Sequence, residues 1–470
     1  MKATRVRKAV WTAVFVPLVG CSDFIAPAEF DPNAVPDASV NQLFVAHQAL
    51  QYIWHGGTTS RISSVWMQQM GGTARQHANI ELYDVGESDF DDMWDTAYQG
   101  GGLIDLEGAI AKAEDAGQRM YAGIIKLHEA YLMGMMASIF GDIPLSQAVQ
   151  PIEFPEPVLD EQLSVYSAML TLLDAAIADL ASGQGAGPGP NDFNFGGDAS
   201  RWITVAHSLK ARFHLHLVEV EGVGRYQQAL AEAQQGISDI SGNWHEVHST
   251  SATESNNWFN WEVRRAGDIR TRAVLMNFMN GGTPADFTDD DPRTPKYWTF
   301  GSGDFVGQYI GHLVAAGPPD PGTQASFVNL PAQAAYGQPI LTCSETQFII
   351  AEASFALGDE AGARAAAKAA IDCEEAYWSV DLSAVAAAFD ALSGQALFEK
   401  IMEQKFVANF LEVDIWNDYK RTCLPARTPA PGFNSIPGRW LYSDNERQTN
   451  SNVPPPEEQP IRNDNDPNPC

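Results

Sequence analysis

The chain has 470 residues, with 59 acidic against 29 basic side chains and a formal charge of −30. That field repels a polyanion at long range, which excludes nucleic acid as a general partner and disfavours a strongly anionic ligand, so neutral ligands fit best. Length alone allows two or three domains, but no long flexible linker separates them; the Gly- and Pro-rich stretch Gly183–Gly197 and the loop Gly317–Thr323 read as excursions from one body.

Residues 1–20 have the pattern of a bacterial secretion signal that is cleaved. Lys2, Arg5, Arg7 and Lys8 form a basic head, and Ala9–Val19 is apolar yet too short to span a bilayer. The stretch ends at Leu18-Val19-Gly20-Cys21, the spacing of a lipobox. Cys21 is therefore expected to carry a diacylglycerol through a thioether. At roughly 0.8 kcal/mol per buried methylene, several acyl chains on one cysteine anchor firmly. No later stretch is expected to span a membrane, which predicts a mature chain (21–470) that is tethered and not inserted.

From there the pattern is mainly helical. Val40–Trp54 carries Leu43, Phe44, Ala46, Leu50 and Ile53 at three- and four-residue spacing. Phe90–Ala116 repeats the pattern with an interruption at Gly100-Gly101-Gly102. Tyr121–Phe140 is apolar on nearly every face, which predicts a buried helix, and Gly141-Asp142-Ile143-Pro144 stops it. Leu163–Leu180 and Trp202–Val220 are two more helices. Trp244–Leu330 is loop-rich and unusually aromatic. Ser344–Ile371 reads as a helical hairpin: Ser344 with Gln347 resembles a capping box, Phe348, Ile349, Ala353 and Leu357 form the inner face, and Gly358-Asp359 breaks the chain. Such pairs resemble tetratricopeptide repeats, without a clean 34-residue self-similarity. Leu397–Tyr419 is a further helix, and the Pro- and Asn-rich tail Asn450–Cys470 is extended.

Four cysteines follow the anchor: Cys343, Cys373, Cys423 and Cys470. An even number in an exported chain suggests two disulfides, and three pairings are possible. Cys343 lies just before the first helix of the hairpin and Cys373 just after the second, ends that an antiparallel pair brings together. By elimination Cys423 joins Cys470. The first bridge closes a loop of about 30 residues, worth roughly 3–4 kcal/mol in the chain-entropy model.

The chemistry-bearing residues point to binding. An indole or phenol ring fits the apolar face of a sugar, and amides bond its hydroxyl rim. Asn256, Asn257, Trp258 and Trp261 form one such cluster, Tyr297 with Trp298 a second, and Trp66 with Gln68 and Gln69 a third. The competing use of any one of these rings is to fill core. The acidic runs Asp84–Asp95 and Asp286–Asp291 lack the alternating ligands of a calcium loop and read as solvated surface. His128-Glu129 has no second histidine four residues on, and neither a Gly-x-Ser-x-Gly elbow nor a phosphate loop occurs. No catalytic residue, metal or cofactor is indicated.

Several segments together resemble the SusD/RagB nutrient-binding lipoproteins, in their SusD-like subgroup. Ala137–Ala148, with Gly141-Asp142-Ile143-Pro144, resembles the family's helix end and turn. Phe195-Gly196-Gly197-Asp198, Trp202 and Ser208-Leu209-Lys210-Ala211-Arg212 resemble its Gly-Gly-Asp, Trp and Ser-Leu-Lys-x-Arg segment. Asp291-Pro292-Arg293, then Gln404–Phe406 through Trp416, Tyr419, Arg421 and Pro425, then Arg439, Tyr442, Glu446 and Asn450 follow in the family's order. Cys423 stands where the family has glycine. The resemblance implies a helical body of tetratricopeptide-like pairs with a loop-rich binding region. It also implies an outer-membrane, lipid-anchored protein on the cell surface. Such a protein captures a glycan, or sometimes a peptide, for a SusC-like TonB-dependent transporter, without catalysis. Two other readings stay open: a lipid-anchored helical glycoside hydrolase, and a repeat scaffold for envelope proteins.

Overall fold

The computed structural model describes residues 37–313, 326 and 333–470. The basic head, the apolar stretch, Cys21 and the loop Gly317–Thr323 lie outside the described residues. Helices α1 (Val40–Trp54), α2 (Ser60–Trp66), α3 (Asp91–Tyr98) and α4 (Leu103–Asp115) open the body, the last two parted at the glycine triplet. At α1 the spacing misjudges the buried face. Phe44, His47, Gln48, Gln51, Tyr52 and Trp54 point inward, whereas Ile53 is 56% exposed.

Helix α5 (Arg119–Phe140) is the central post, buried from Tyr121 onward except at Lys126. Gly141 ends it at φ +80°, a left-handed conformation that costs glycine least. Helices α6 (Gln162–Ala181) and α7 (Ala199–His216) pack beside it. By length and composition α6 is apolar enough to cross a membrane, contrary to the sequence expectation. Here it buries one face, including Val165, Tyr166, Met169 and Leu173, against the body. Asp198 caps α7 by accepting from the Ser200 and Arg201 amides, and Trp202 Nε1 donates to Asp192 Oδ2 at 2.8 Å. Helix α8 (Val223–Ala233) follows, and α9 (Asn257–Arg265) lies inside the region expected to be loops.

The hairpin is α10 (Cys343–Ala356) and α11 (Glu360–Trp378), which form a pair closed by a Cys343–Cys373 bond with Cα atoms 5.9 Å apart. The cap of α10 is Thr342, accepting from the Glu345 amide, and not Ser344. Cys373 sits within α11, which runs on to Trp378. The last long run splits into α12 (Gly394–Ala408) and α13 (Asp414–Thr422) around Leu411, at φ +66°. Tertiary partners impose that break: Ser60 Oγ donates to the Leu411 carbonyl at 2.6 Å, and the Leu411 amide donates to Gln69 Oε1 at 2.7 Å.

Sheet content is slight among the described residues. Antiparallel β1 (Met70–Gly72) and β3 (Ile269–Thr271) pair Met70 with Thr271, and β2 (Trp244–His245) pairs with β4 (Pro339–Leu341) across an irregularity. The first pair ties the 244–341 region to the segment after α2, and the second joins the two ends of that region. Buried polar pairs join the later helices to α7 and to one another. Arg212 holds Glu345 through two bonds of 2.7 and 2.5 Å, His216 donates to Asp414 at 2.7 Å, and Lys405 pairs with Asp418 at 2.8 Å. The tail returns beneath this network. Asn463 Nδ2 donates to the Ser138 carbonyl at 2.6 Å and Asn465 Nδ2 to that of His216 at 2.9 Å. Cys470 is bonded to Cys423 with Cα atoms 5.2 Å apart. Residues Val40–Cys470 form one compact unit.

Candidate functional site

Between α1 and α2 the chain makes one turn of π-helix, His55–Thr59, with Gly57 outside helical geometry at φ −86° and ψ −129°. The wide turn leaves α1 exposing Ile53 to solvent and swings His55 inward. Gly56 is required there, because a Cβ at that position would lie 2.5 Å from Glu246 Oε1.

Helix α9 faces this turn. Asn256 caps it by accepting from the Trp258 and Phe259 amides, which fixes the direction of the following residues. Asn257 and Asn260 then meet Ile53 on a ridge between two hollows of about 460 and 520 Å³. Thr58, Arg61, Asp92, Trp261, Arg264 and Arg265 border the first. Tyr52, Phe193, Val247, His248 and Glu254 border the second. Exposed Ile53, Phe193 and Val247 give this cleft apolar patches that nothing else in the chain covers among the described residues. The ridge amides are held: Asn257 Nδ2 donates to the Tyr52 carbonyl, and Asn260 Nδ2 to that of Ser255, both at 3.0 Å. The side-chain carbonyl of Asn257 thus stays available for a ligand donor.

Beneath the ridge runs a buried polar chain. His248 Nε2 meets Glu246 Oε2 at 2.6 Å, Glu246 Oε1 meets His55 Nδ1 at 2.9 Å, and His55 Nε2 meets Glu412 Oε2 at 3.0 Å. Burial alone would lower the His55 pKa. The attraction of Glu412 and the bonds to both carboxylates outweigh it and raise the imidazole to about 9. Burial would likewise raise Glu246, but its bonds to His248 and His55 hold it below the usual range. These carboxylates are spent on histidines and do not open onto the cleft. Among the described residues, no group of three or more His, Cys, Asp or Glu is arranged to hold a metal ion.

Of the residues singled out by sequence, Asn257 and Trp261 line the cleft together. Four rings are corrected to core. Trp66 is packed among Phe90, Trp416 and Trp440, and Trp258 donates its indole N–H to Ser60 Oγ at 3.1 Å. Tyr297 stacks on Phe410 at 4.7 Å between centroids, and Trp298 meets the same ring at 5.0 Å. All four are at most 2% exposed, so none has a free face to offer a sugar. Gln68 is buried too, its amide donating to the Thr428 carbonyl. Sequence reasoning missed Arg61, His55, Glu246 and Asn260. Only the Gly-Gly pair at 56–57 hinted at the turn that gathers them.

The profile of a family described as "SusD-like_2: Starch-binding associating with outer membrane" matches residues 32–442. No curated protein is significantly similar. Among solved structures, a SusD/RagB family protein from Bacteroides thetaiotaomicron superposes with a TM-score of 0.70 at 19% identity, over 89% of this chain and 95% of that one. A SusD-like protein from the same organism gives 0.73 at 20% identity, over 88% and 94%. A chitin-binding SusD homolog from Flavobacterium johnsoniae gives 0.71 at 19% identity, over 86% and 93%. These structures share the fold, while the profile spans most of the sequence. The chain therefore belongs to the SusD-like family of SusD/RagB proteins.

Proposed function

We propose that this chain captures a glycan in the two-lobed cleft and hands it unchanged to a SusC-like TonB-dependent transporter, while a lipid on Cys21 anchors it to the outer membrane at the cell surface. The cleft itself carries the reading. Exposed apolar groups at Ile53, Phe193 and Val247 suit the C–H face of a sugar, and Asn257, Asn260 and Thr58 suit its hydroxyl rim. The family's description as starch-binding, and a structural relative described as chitin-binding, support a carbohydrate over a peptide. Hydrolysis is disfavoured because the buried carboxylates Glu246 and Glu412 are committed to His55, and the cleft acids Asp92 and Glu254 border different hollows.

Titration of the purified protein with chito- and malto-oligosaccharides, with product analysis, tests this. Binding is expected at micromolar to millimolar strength, about −8 to −4 kcal/mol, with the ligand recovered intact. Asn257→Ala is expected to weaken it about tenfold, or roughly 1.4 kcal/mol. Cleavage products that scale with protein concentration would replace capture by hydrolysis. Selective binding of oligopeptides would replace the glycan. Co-purification from the native membrane with a barrel protein tests the transfer step, and Cys21→Ser is expected to abolish lipid labelling.

A further inference from the structure

The first hollow has a feature that a neutral sugar does not explain. Arg61, on the first turn of α2, is only 8% exposed and borders the cavity. Its Nη2 donates to Thr58 Oγ1 at 2.9 Å, and its guanidinium carbon lies 4.3 Å from the centre of the Trp261 ring. Its Nε is buried without an acceptor, and so is the Trp261 indole N–H. Among the described residues no carboxylate lies within ion-pair distance of Arg61. Asp92, exposed on the rim, faces it from farther off. Burial dominates over Asp92 and brings the Arg61 pKa down to about 10, so the group is still charged at neutral pH. His77, packed edge-on against Trp261 at 4.8 Å, adds no charge: burial first, then Arg61, press its pKa to about 3.

Three other deep arginines are neutralised: Arg212 holds Glu345, Arg293 holds Asp291 and Arg421 holds Glu352. A fourth, Arg439, borders neither hollow and instead donates to Gln459 Oε1 at 3.3 Å and lies 4.0 Å over the Tyr442 ring. A chain with 59 carboxylates against 29 cations has ample means to neutralise Arg61 as well. Instead the same hollow gains two more arginines, Arg264 and Arg265, exposed at the end of α9. A desolvated guanidinium facing a cavity, beside a second unpaired donor, is a wall made for an acceptor that carries charge.

We propose that the glycan taken by this cleft bears an anionic group, a carboxylate or a sulfate, which seats against Arg61 in the hollow rimmed by Arg264 and Arg265. This rests on the glycan-capture reading. The net charge of −30 still opposes a polyanion, so the ligand is a largely neutral glycan with isolated acidic sugars and not a run of them. The ridge of Ile53, Asn257 and Asn260 carries the neutral neighbours into the second hollow.

The test follows the Arg61 Nε–H resonance in arginine-labelled full chain, assigned by its loss in Arg61→Lys. Glucuronate or glucose 6-sulfate is expected to shift it, and glucose to leave it in place; the stronger of the two anions separates carboxylate from sulfate. Arg61→Lys, which keeps the charge but loses the planar fork, is expected to weaken the anionic probe at least about tenfold. Should that buried variant fold poorly, Arg264→Gln on the exposed rim is expected to weaken the probe severalfold with an unchanged melting temperature. Salt at about 0.5 M is expected to weaken it too, and to leave neutral oligosaccharides unaffected. No shift with either anion, or an equal shift with glucose, overturns the proposal. If chito- or malto-oligosaccharides then still bind, capture stands without the anionic group. If the anions shift Arg61 but no oligosaccharide binds, the anion site stands and glycan capture falls.

Discussion

Trp258→Ala is expected to destabilise the protein by about 3–5 kcal/mol, because the ring is fully packed and little around it can collapse into the space. Trp258 is 2% exposed, and its indole N–H donates to Ser60 Oγ. That hydroxyl is a junction: it donates to the Leu411 carbonyl at 2.6 Å and accepts from Gln338 Nε2 at 3.2 Å. Removing the ring therefore leaves a cavity where α2, α9 and the α12–α13 break meet. For a body of this size the loss corresponds to a fall of roughly 3–6 °C in melting temperature. Thermal unfolding of Trp258→Ala beside Trp258→Phe measures it, and the phenylalanine variant should recover most of the loss. A fall of under a degree would return Trp258 to the surface and to the ligand.

The second large effect is alkaline. With a folded pKa of about 9 against 6.5 for an ordinary histidine, His55 binds its proton more tightly in the native state. Its stabilising contribution is complete below pH 6.5 and disappears as pH rises through 9. The shift corresponds to roughly 3 kcal/mol between those limits. Above pH 9 the imidazole is neutral and two buried carboxylates, Glu246 and Glu412, face each other across it. At the acid end the sign reverses for Glu246, whose depressed pKa gives stability that is lost as pH falls. Chemical denaturation from pH 6 to pH 10 (about five points suffice) is expected to show a decline that His55→Gln flattens. Parallel pH profiles for the two proteins would detach His55 from the effect.

The helices were legible because their signal is local. Three- and four-residue spacing, the Gly141 stop and the glycine triplet each act within a few residues of themselves, and α1, α5 and α6 fall where the pattern puts them. The α12–α13 break was not, since Leu411 is held at positive φ by Ser60 and Gln69, more than 300 residues away. The site divides in the same way. A Trp and Asn cluster pointed to α9, and Asn257 with Trp261 does border the cleft. Which rings are covered depends on partners from distant segments, such as Phe410 on Tyr297 or Trp416 and Trp440 on Trp66. Arg61 carried no sequence signal, because its significance lies in the carboxylate that is not beside it.

The returning tail has a consequence for the order of events during synthesis. Residues 459–470 are made after every helix of the body, yet Asn463 and Asn465 bind carbonyls at the ends of α5 and α7, and Cys470 closes onto Cys423. Until that segment emerges, the Ser138 and His216 carbonyls lack these amide donors and the later helices lack their last tie. The nascent body therefore cannot reach its final packing while the tail is still being made. The segment from 459 to 470 thus acts as a late clasp, supplying donors to the ends of α5 and α7 only after the helices it fastens have been synthesised.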